Sequence, residues 1–187
     1  MFIQTEATPN PQVLKFLPGR ELLPGGSREF VDRAEAAASP LARALFSIDG
    51  VTRVYYGDEF LTVTKDAERD WAHLKAPILA EIMDHFTSGA PLIEGEEAAG
   101  DEEVYEGETA QIVAEIKDLI DTRIRPAVAQ DGGDIMFSRF EADTGVVWLN
   151  MRGACSSCPS SAATLKSGVE NLLRHYVPEV TRVEQTL

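Results

Sequence analysis

Cysteine is scarce. The 187 residues contain two, too few for a disulfide-stapled secreted scaffold, and no Asn-x-Ser/Thr glycosylation acceptor is present. No apolar run approaches the roughly 18 residues of a membrane-spanning helix. Positive charge is in deficit. Lys and Arg total 17 against 31 Asp and Glu, a net charge of −14. The electrostatic footprint of a nucleic-acid or anionic-membrane binder is therefore missing. Histidine is limited to His73, His85 and His175. None has metal-ligand spacing to another or to a cysteine, and all three are expected at the surface or at helix ends. The sequence has no Ser/His/Asp set, no Walker loop and no Gly-x-Gly-x-x-Gly, so no catalytic residue is assigned and an enzyme is not expected. The opening MFIQTEATPN lacks a basic start, a long apolar core, Arg and Ser. It reads as neither a secretory signal nor a transit peptide, and the expectation is a cytoplasmic protein of bacterial type. Against these absences, 44% hydrophobic and 26% charged residues argue against a wholly disordered chain.

The negative charge is uneven. Residues 94–108 (EGEEAAGDEEVYEGE) carry −8 of the −14, with three glycines and almost nothing to bury. Such a segment cannot offset its ordering entropy, and like charges extend it. It divides the chain into a first domain, 1–93, a flexible acidic linker, 94–108, and a second domain, 109–187. The fold class expected is α+β, with two small α/β-sandwich-like domains.

In the first domain, 2–7 and 12–17 read as strands separated by Thr8-Pro9-Asn10-Pro11, a rigid turn. Ser39-Pro40 opens a helix as N-cap and first residue, and Leu41, Ala44, Leu45 and Ile48 share one face. Val51–Tyr56 and Phe60–Thr64 flank Gly57-Asp58-Glu59 as a hairpin. The adjacent Tyr55 and Tyr56 should face in opposite directions, one inward and one outward. Pro77 sets the start of the next helix near Ala76, with Ile78, Leu79, Ile82, Met83 and Phe86 inward and Gly89 as its stop. Trp71 and Trp148 are read as packing residues.

The second domain opens on Thr109 as N-cap, followed by Ile112, Ile116, Leu119, Ile120 and Ile124 at helical spacing. Asp131-Gly132-Gly133-Asp134 reads as a helix end and turn. Strands Ile135–Phe140 and Val146–Met151 are joined by Asp143-Thr144-Gly145. A helix from about Ser160 to Tyr176 and a short strand Val180–Glu184 complete the order α-β-β-α-β.

Both cysteines, Cys155 and Cys158, lie in one CxxC between the end of a strand and the start of a helix. Outward-pointing amides at a helix N-terminus favour thiolate. Three chemistries fit: a redox dithiol, half of a zinc site, or half of an iron–sulfur site. A structural zinc and an iron–sulfur cluster each want four ligands, so one chain is two short, and a two-fold dimer would supply the rest. A thiol–disulfide oxidoreductase needs no partner, although the long βαβ lead-in of a thioredoxin-like CxxC is missing. Spacing alone leaves the three open. Arg152 and Lys166 are cations near the motif, read as solvated.

The surroundings are more specific. Asp131-Gly132-Gly133-Asp134, the strand ending Leu149-Asn150-Met151-Arg152-Gly153, and Ala154-Cys155-Ser156-Ser157-Cys158-Pro159-Ser160-Ser161 resemble the NifU C-terminal domain family. So do Thr164-Leu165-Lys166, Val169-Glu170 and His175 through Val180. Phe2 through Pro11, with Leu14-Lys15-Phe16 and Pro18-Gly19, is similar to the N-terminal domain of Nfu proteins. The resemblance implies an iron–sulfur cluster scaffold or carrier. It implies a [4Fe-4S] cluster held between two protomers, with Cys155 and Cys158 of each as ligands, and its transfer to apo-proteins. The implied partners are a second copy of the chain when cluster-bound, recipient apo-proteins and upstream assembly factors, with no nucleic acid and no membrane.

Overall fold

The computed structural model describes residues 2–95, 104–156 and 159–186, the first three of the last stretch by backbone alone. The fold is α+β. The chain separates into two units, 1–97 and 98–187, each with its own hydrophobic core. Among the described residues no helix is long and apolar enough to cross a membrane.

In the first unit, period-two alternation builds an antiparallel sheet. Its strands are β1 (Gln4–Ala7), β2 (Val13–Leu17), β3 (Arg28–Phe30), β4 (Val51–Tyr56) and β5 (Leu61–Lys65), in spatial order β1-β2-β5-β4-β3. Phe16, Phe30, Val54, Tyr56, Leu61 and Val63 enter one core with Leu41 and Leu45 of α1 (Pro40–Ser47) and Leu74, Ile78 and Ile82 of α2 (Trp71–Ser88). Each fully buried aliphatic or phenyl side chain contributes about 1.5–3 kcal/mol of transfer free energy. Ser39 caps α1 as expected, accepting from Ala42 N–H at 3.1 Å, and its hydroxyl also pairs with the buried Tyr56 hydroxyl at 2.9 Å. The Thr8–Pro11 turn is held by its own side chains, with Thr8 Oγ1 donating to Asn10 O at 2.9 Å and Asn10 Oδ1 accepting from Gln12 N–H at 3.0 Å.

Two expectations fail here, and two short elements have no counterpart among them. The second helix starts at Trp71, not near Ala76, and Pro77 lies inside it. Interior proline costs about 3 kcal/mol, but the extra turn buries Leu74 in the core. Asp70 caps that turn, and Trp71 Nε1–H donates to Pro11 O at 2.9 Å. Tyr55 and Tyr56 do point to opposite faces, yet both are buried. Tyr55 lies against the Phe60 ring, whose face also carries Lys15 Nζ at 4.5 Å. Strand β3 and a 3-10 turn at Glu35–Ala38 have too few residues for a periodic signal.

In the second unit, α3 (Gly107–Leu119) passes through a π-helical turn, Ile120–Ile124, into α4 (Arg125–Gln130). The helix begins two residues before Thr109 and has Glu106 as its N-cap residue, without a side-chain cap bond. The π turn has a local cause. Pro126 has no N–H to continue the ladder, and Arg125 N–H reaches Ile120 O, five residues back. Then follow β6 (Gly133–Glu141), β7 (Val146–Gly153), α5 (Pro159–Tyr176) and β8 (Arg182–Gln185). Strand β7 is central, antiparallel to β6 and parallel to β8 through the α5 crossover. Val147, Leu149 and Met151 of β7 meet Ile116 and Ile120 from the first helix and Val169 and Leu173 from α5 in one core.

Both ends of the expected linker are tied to their units, and Gly107 and Glu108 already belong to α3. Glu94 N–H donates to Ala38 O at 2.7 Å and its carboxylate pairs with Arg43 at 3.1 Å. Tyr105 packs edge-on against Phe137 and its hydroxyl accepts from Phe140 N–H at 2.9 Å. Residues 96–103, the centre of that segment, lie outside the described residues.

Candidate functional site

Strand β7 ends at Gly153, whose φ of 67° turns the chain out of the sheet. The turn Ala154–Ser156 follows, and α5 opens at Pro159. Cys155 sits on this turn and is buried. Cys158, the other expected ligand, lies outside the described residues. The turn is fixed by short bonds. Ala154 N–H donates to Gly132 O at 3.1 Å, and Ser156 donates to Gly153 O from its N–H at 3.2 Å and its hydroxyl at 2.9 Å.

The opposite wall is the start of β6. Gly133 pairs in register with Gly153, so two glycines face each other where the strands reach the site. Gly133 has no room for a side chain. A Cβ there would collide with Cys155 Sγ and stand 3.1 Å from Arg152 O. The thiol packs against the glycine and is 7% exposed, as part of the unit's core. An openly solvated cysteine, the picture that direct attack by a recipient's thiolates requires, is not what the turn presents.

Beyond Gly133 stands Asp134, 4% exposed. Arg125 grips it with both arms of the guanidinium, Nε to Oδ1 at 2.8 Å and Nη2 to Oδ2 at 3.1 Å. Asp134 Oδ1 also accepts from Ile135 N–H at 2.9 Å, and Asp121 takes a further Arg125 arm at 3.2 Å. Hydrogen bonding to Asp134 holds the guanidinium proton more tightly than in free arginine. The Asp131–Asp134 stretch is thus a helix end and turn as expected, with Gly132 at φ 78°, but its two glycines also line the cysteine turn. Sequence reasoning missed Arg125, Gly133 and Asp134 as site residues. The available signal was an acidic residue directly beside two glycines and an Arg-Pro step one short helix earlier.

The other candidates are elsewhere. His73 lies in the first turns of α2, and His175 stacks edge-on against Tyr176 at the far end of α5. His85 is not a surface residue. It is 8% exposed within α2, and its Nε2 has no hydrogen-bond partner. Burial lowers its pKa below 6.5. Lys166 is not simply solvated, because its Nζ meets Glu184 Oε2 at 2.6 Å and this bond holds the Glu184 carboxyl below its ordinary pKa. Arg152 stands opposite Asp134 on the neighbouring strand. Among the described residues, no three His, Cys, Asp or Glu side chains are grouped to hold a metal ion.

Two family models match the chain: "Scaffold protein Nfu/NifU N terminal" over residues 3–89 and "NifU-like domain" over residues 116–184. NifU-like protein 5, mitochondrial, of Arabidopsis thaliana is 50% identical over 186 residues, covering 99% of this chain and 68% of that protein. The human NFU1 iron-sulfur cluster scaffold homolog, mitochondrial, is 50% identical over 188 residues, covering 100% of this chain and 72% of that protein. A solution structure of a NifU-like protein from Saccharomyces cerevisiae is 32% identical, with a TM-score of 0.46, covering 51% of this chain and 86% of that one. The expectation of a bacterial cytoplasmic protein is overturned by these relatives, which are mitochondrial. It had leaned on the composition of the first ten residues, and the chain spans only part of the relatives' length. Two family models in sequence, and relatives half identical along the whole chain, show that this protein belongs to the Nfu/NifU family.

Proposed function

We propose that this chain is an iron–sulfur cluster scaffold and carrier whose cargo, a [4Fe-4S] cluster, is held between two protomers by Cys155 and Cys158 of each. The observation that carries the reading is the placement of Cys155. It lies on a hydrogen-bonded turn between the end of β7 and the start of α5. Thiolate is the ligand such clusters take, and four are wanted. Two thiols per chain fit half of that set, and a two-fold pair of chains completes it. Four thiolates around a cubane of charge +2 leave a net −2. The N-terminal ends of two α5 helices are suited to stabilise that charge.

The reaction is ligand exchange, and no acid–base or nucleophilic catalysis is invoked. Separation of the protomers removes two of the four thiolates and admits those of a recipient. The recipients are apo-proteins, and upstream assembly factors supply the cargo. The first unit, 1–93, recruits them, while 109–187 holds the cluster. The compartment is that of the relatives, the mitochondrion. The test is anaerobic reconstitution with iron and sulfide, followed by iron and sulfide counts and the solution mass of the same sample. About four iron and four sulfide per two chains, with conversion of monomer to dimer, is the expected result. Cys155→Ala and Cys158→Ala should each abolish it. Normal iron content in either variant would sink the assignment. A monomer free of iron with a ready Cys155–Cys158 disulfide would favour a thiol–disulfide oxidoreductase.

A further inference from the structure

We infer that the Arg125–Asp134 ion pair is a positioning device for the Cys155 thiol, acting through Gly133. The contacts form one continuous path. The π turn at Ile120–Ile124 delivers Arg125 to the edge of the sheet. Its guanidinium takes both oxygens of Asp134, at 2.8 and 3.1 Å, while Asp121 holds a third donor at 3.2 Å. A two-armed fork fixes the plane of the carboxylate as well as its distance. Asp134 Oδ1 is also bonded to Ile135 N–H, so the first residues of β6 are pinned to that plane. Gly133, the preceding residue, is the surface against which Cys155 Sγ rests, with no space for even a methyl group between them. Ala154, the neighbour of Cys155, is bonded to Gly132 O at 3.1 Å. The thiol is thus set against the start of β6, and the amide of the residue before it is tethered to Gly132, just ahead of that strand. The ion pair sets where that strand starts.

A fold needs no half-buried ion pair at this place. Apolar residues of similar volume usually pack as well or better, and the attested use of buried ionic groups is to fix register. A pair whose carboxylate is one residue from the glycine wall of a thiol fits a register role. Arg125 and Asp134 touch no cargo in this account and act on it through Cys155. The consequence for cluster retention rests on the function proposed above, but the consequence for the thiol itself does not.

The experiment uses Cys158→Ala in the full chain, which leaves Cys155 as the sole thiol, and follows its alkylation by iodoacetamide with mass spectrometry. Loss of the fork should expose the buried thiol, so Arg125→Gln and Asp134→Asn should raise the rate about tenfold or more, the scale of a lost local closure. Arg125→Lys, which keeps the charge and loses the fork, should fall between them and the parent. Val183→Ala is the control, a fully buried residue of the same core with no place in the path. It should lower the melting temperature without a comparable change in alkylation. In the chain with both cysteines, cluster loss to a chelator should speed up in the order Arg125→Gln, Arg125→Lys, parent. Alkylation at the parent rate in folded Arg125→Lys and Asp134→Asn overturns the inference. So does Val183→Ala matching them at equal loss of stability. If instead alkylation follows the predicted order but Cys155→Ala still loads its cluster, the proposed function fails and the positioning role stands.

Discussion

The two units solve the same packing problem with different residues at the points of closest approach. In the first, the glycine wedged tightest in the β4–β5 hairpin, Gly57, meets the Phe60 ring, 2.8 Å from where its Cβ would lie. Its deepest polar contact is neutral, the Tyr56 and Ser39 hydroxyls. In the second, Gly133 meets the sulfur of Cys155, and the polar group buried beside it is half of an ion pair. Only in the second do a close glycine and a charged pair stand beside a cysteine thiol. Tight packing by itself is therefore no guide to function. What surrounds the tight contact is.

The proposed division of labour can be broken at measurable places. The chain has two tryptophans, Trp71 in the first unit and Trp148 in the second, so each unit has its own fluorescence reporter. The largest effect is expected from Ile78→Ala, which empties a fully buried position in the first core. It should lower stability by about 2–5 kcal/mol in the denaturant transition reported by Trp71, with the Trp148 transition and cluster loading unchanged. A shift of both transitions together contradicts independent cores. Next is Gly133→Ala. The added methyl group must displace sulfur or backbone, so the Trp148 transition should lose about 1–3 kcal/mol and reconstituted iron should fall with it. Wild-type iron content in that variant would show that the glycine wall has no part in ligation.

The smallest effect should be the pH response of the first unit. His85 shares a cavity with Arg20, Glu21 and Phe86 and is held neutral by burial. Its pKa in the folded state lies below the unfolded value of about 6.5, so the unfolded chain binds the proton more readily. The stability tied to its neutral form is present above pH 6.5 and drains away as pH falls through the folded-state value. The Trp71 transition should move to lower denaturant between pH 7 and pH 5, and His85→Gln should flatten that dependence. A midpoint that rises on acidification by the same amount in both proteins would exclude His85 as the cause.

Most of the architecture was legible because long periodic segments announce themselves. The helices α1 and α5, the hairpins β4–β5 and β6–β7, and the caps at Ser39 and Gly89 follow from spacing and turn chemistry. The misses have specific causes. Pro77 was given its local cost without the tertiary gain of burying Leu74 and anchoring Trp71. Strand β3 is three residues long, shorter than any alternation that could reveal it. The π turn comes from Pro126 falling inside a continuous apolar stripe, which periodicity reads as plain helix. At the site, Cys155 was visible from the motif. Its burial, and the Arg125, Asp134 and Gly133 wall behind it, depend on β6 and β7 coming together, which no short window of sequence contains.

The most direct test of the central claim is to load the separated halves, residues 1–93 and residues 104–187, under the same anaerobic iron and sulfide conditions as the full chain. The expected result is that 104–187 retains iron and sulfide in the same ratio per pair of chains as the full protein, and that 1–93 retains none. Iron held by 1–93, or a folded 104–187 that cannot retain it, would contradict the claim that the cluster belongs to the second unit alone.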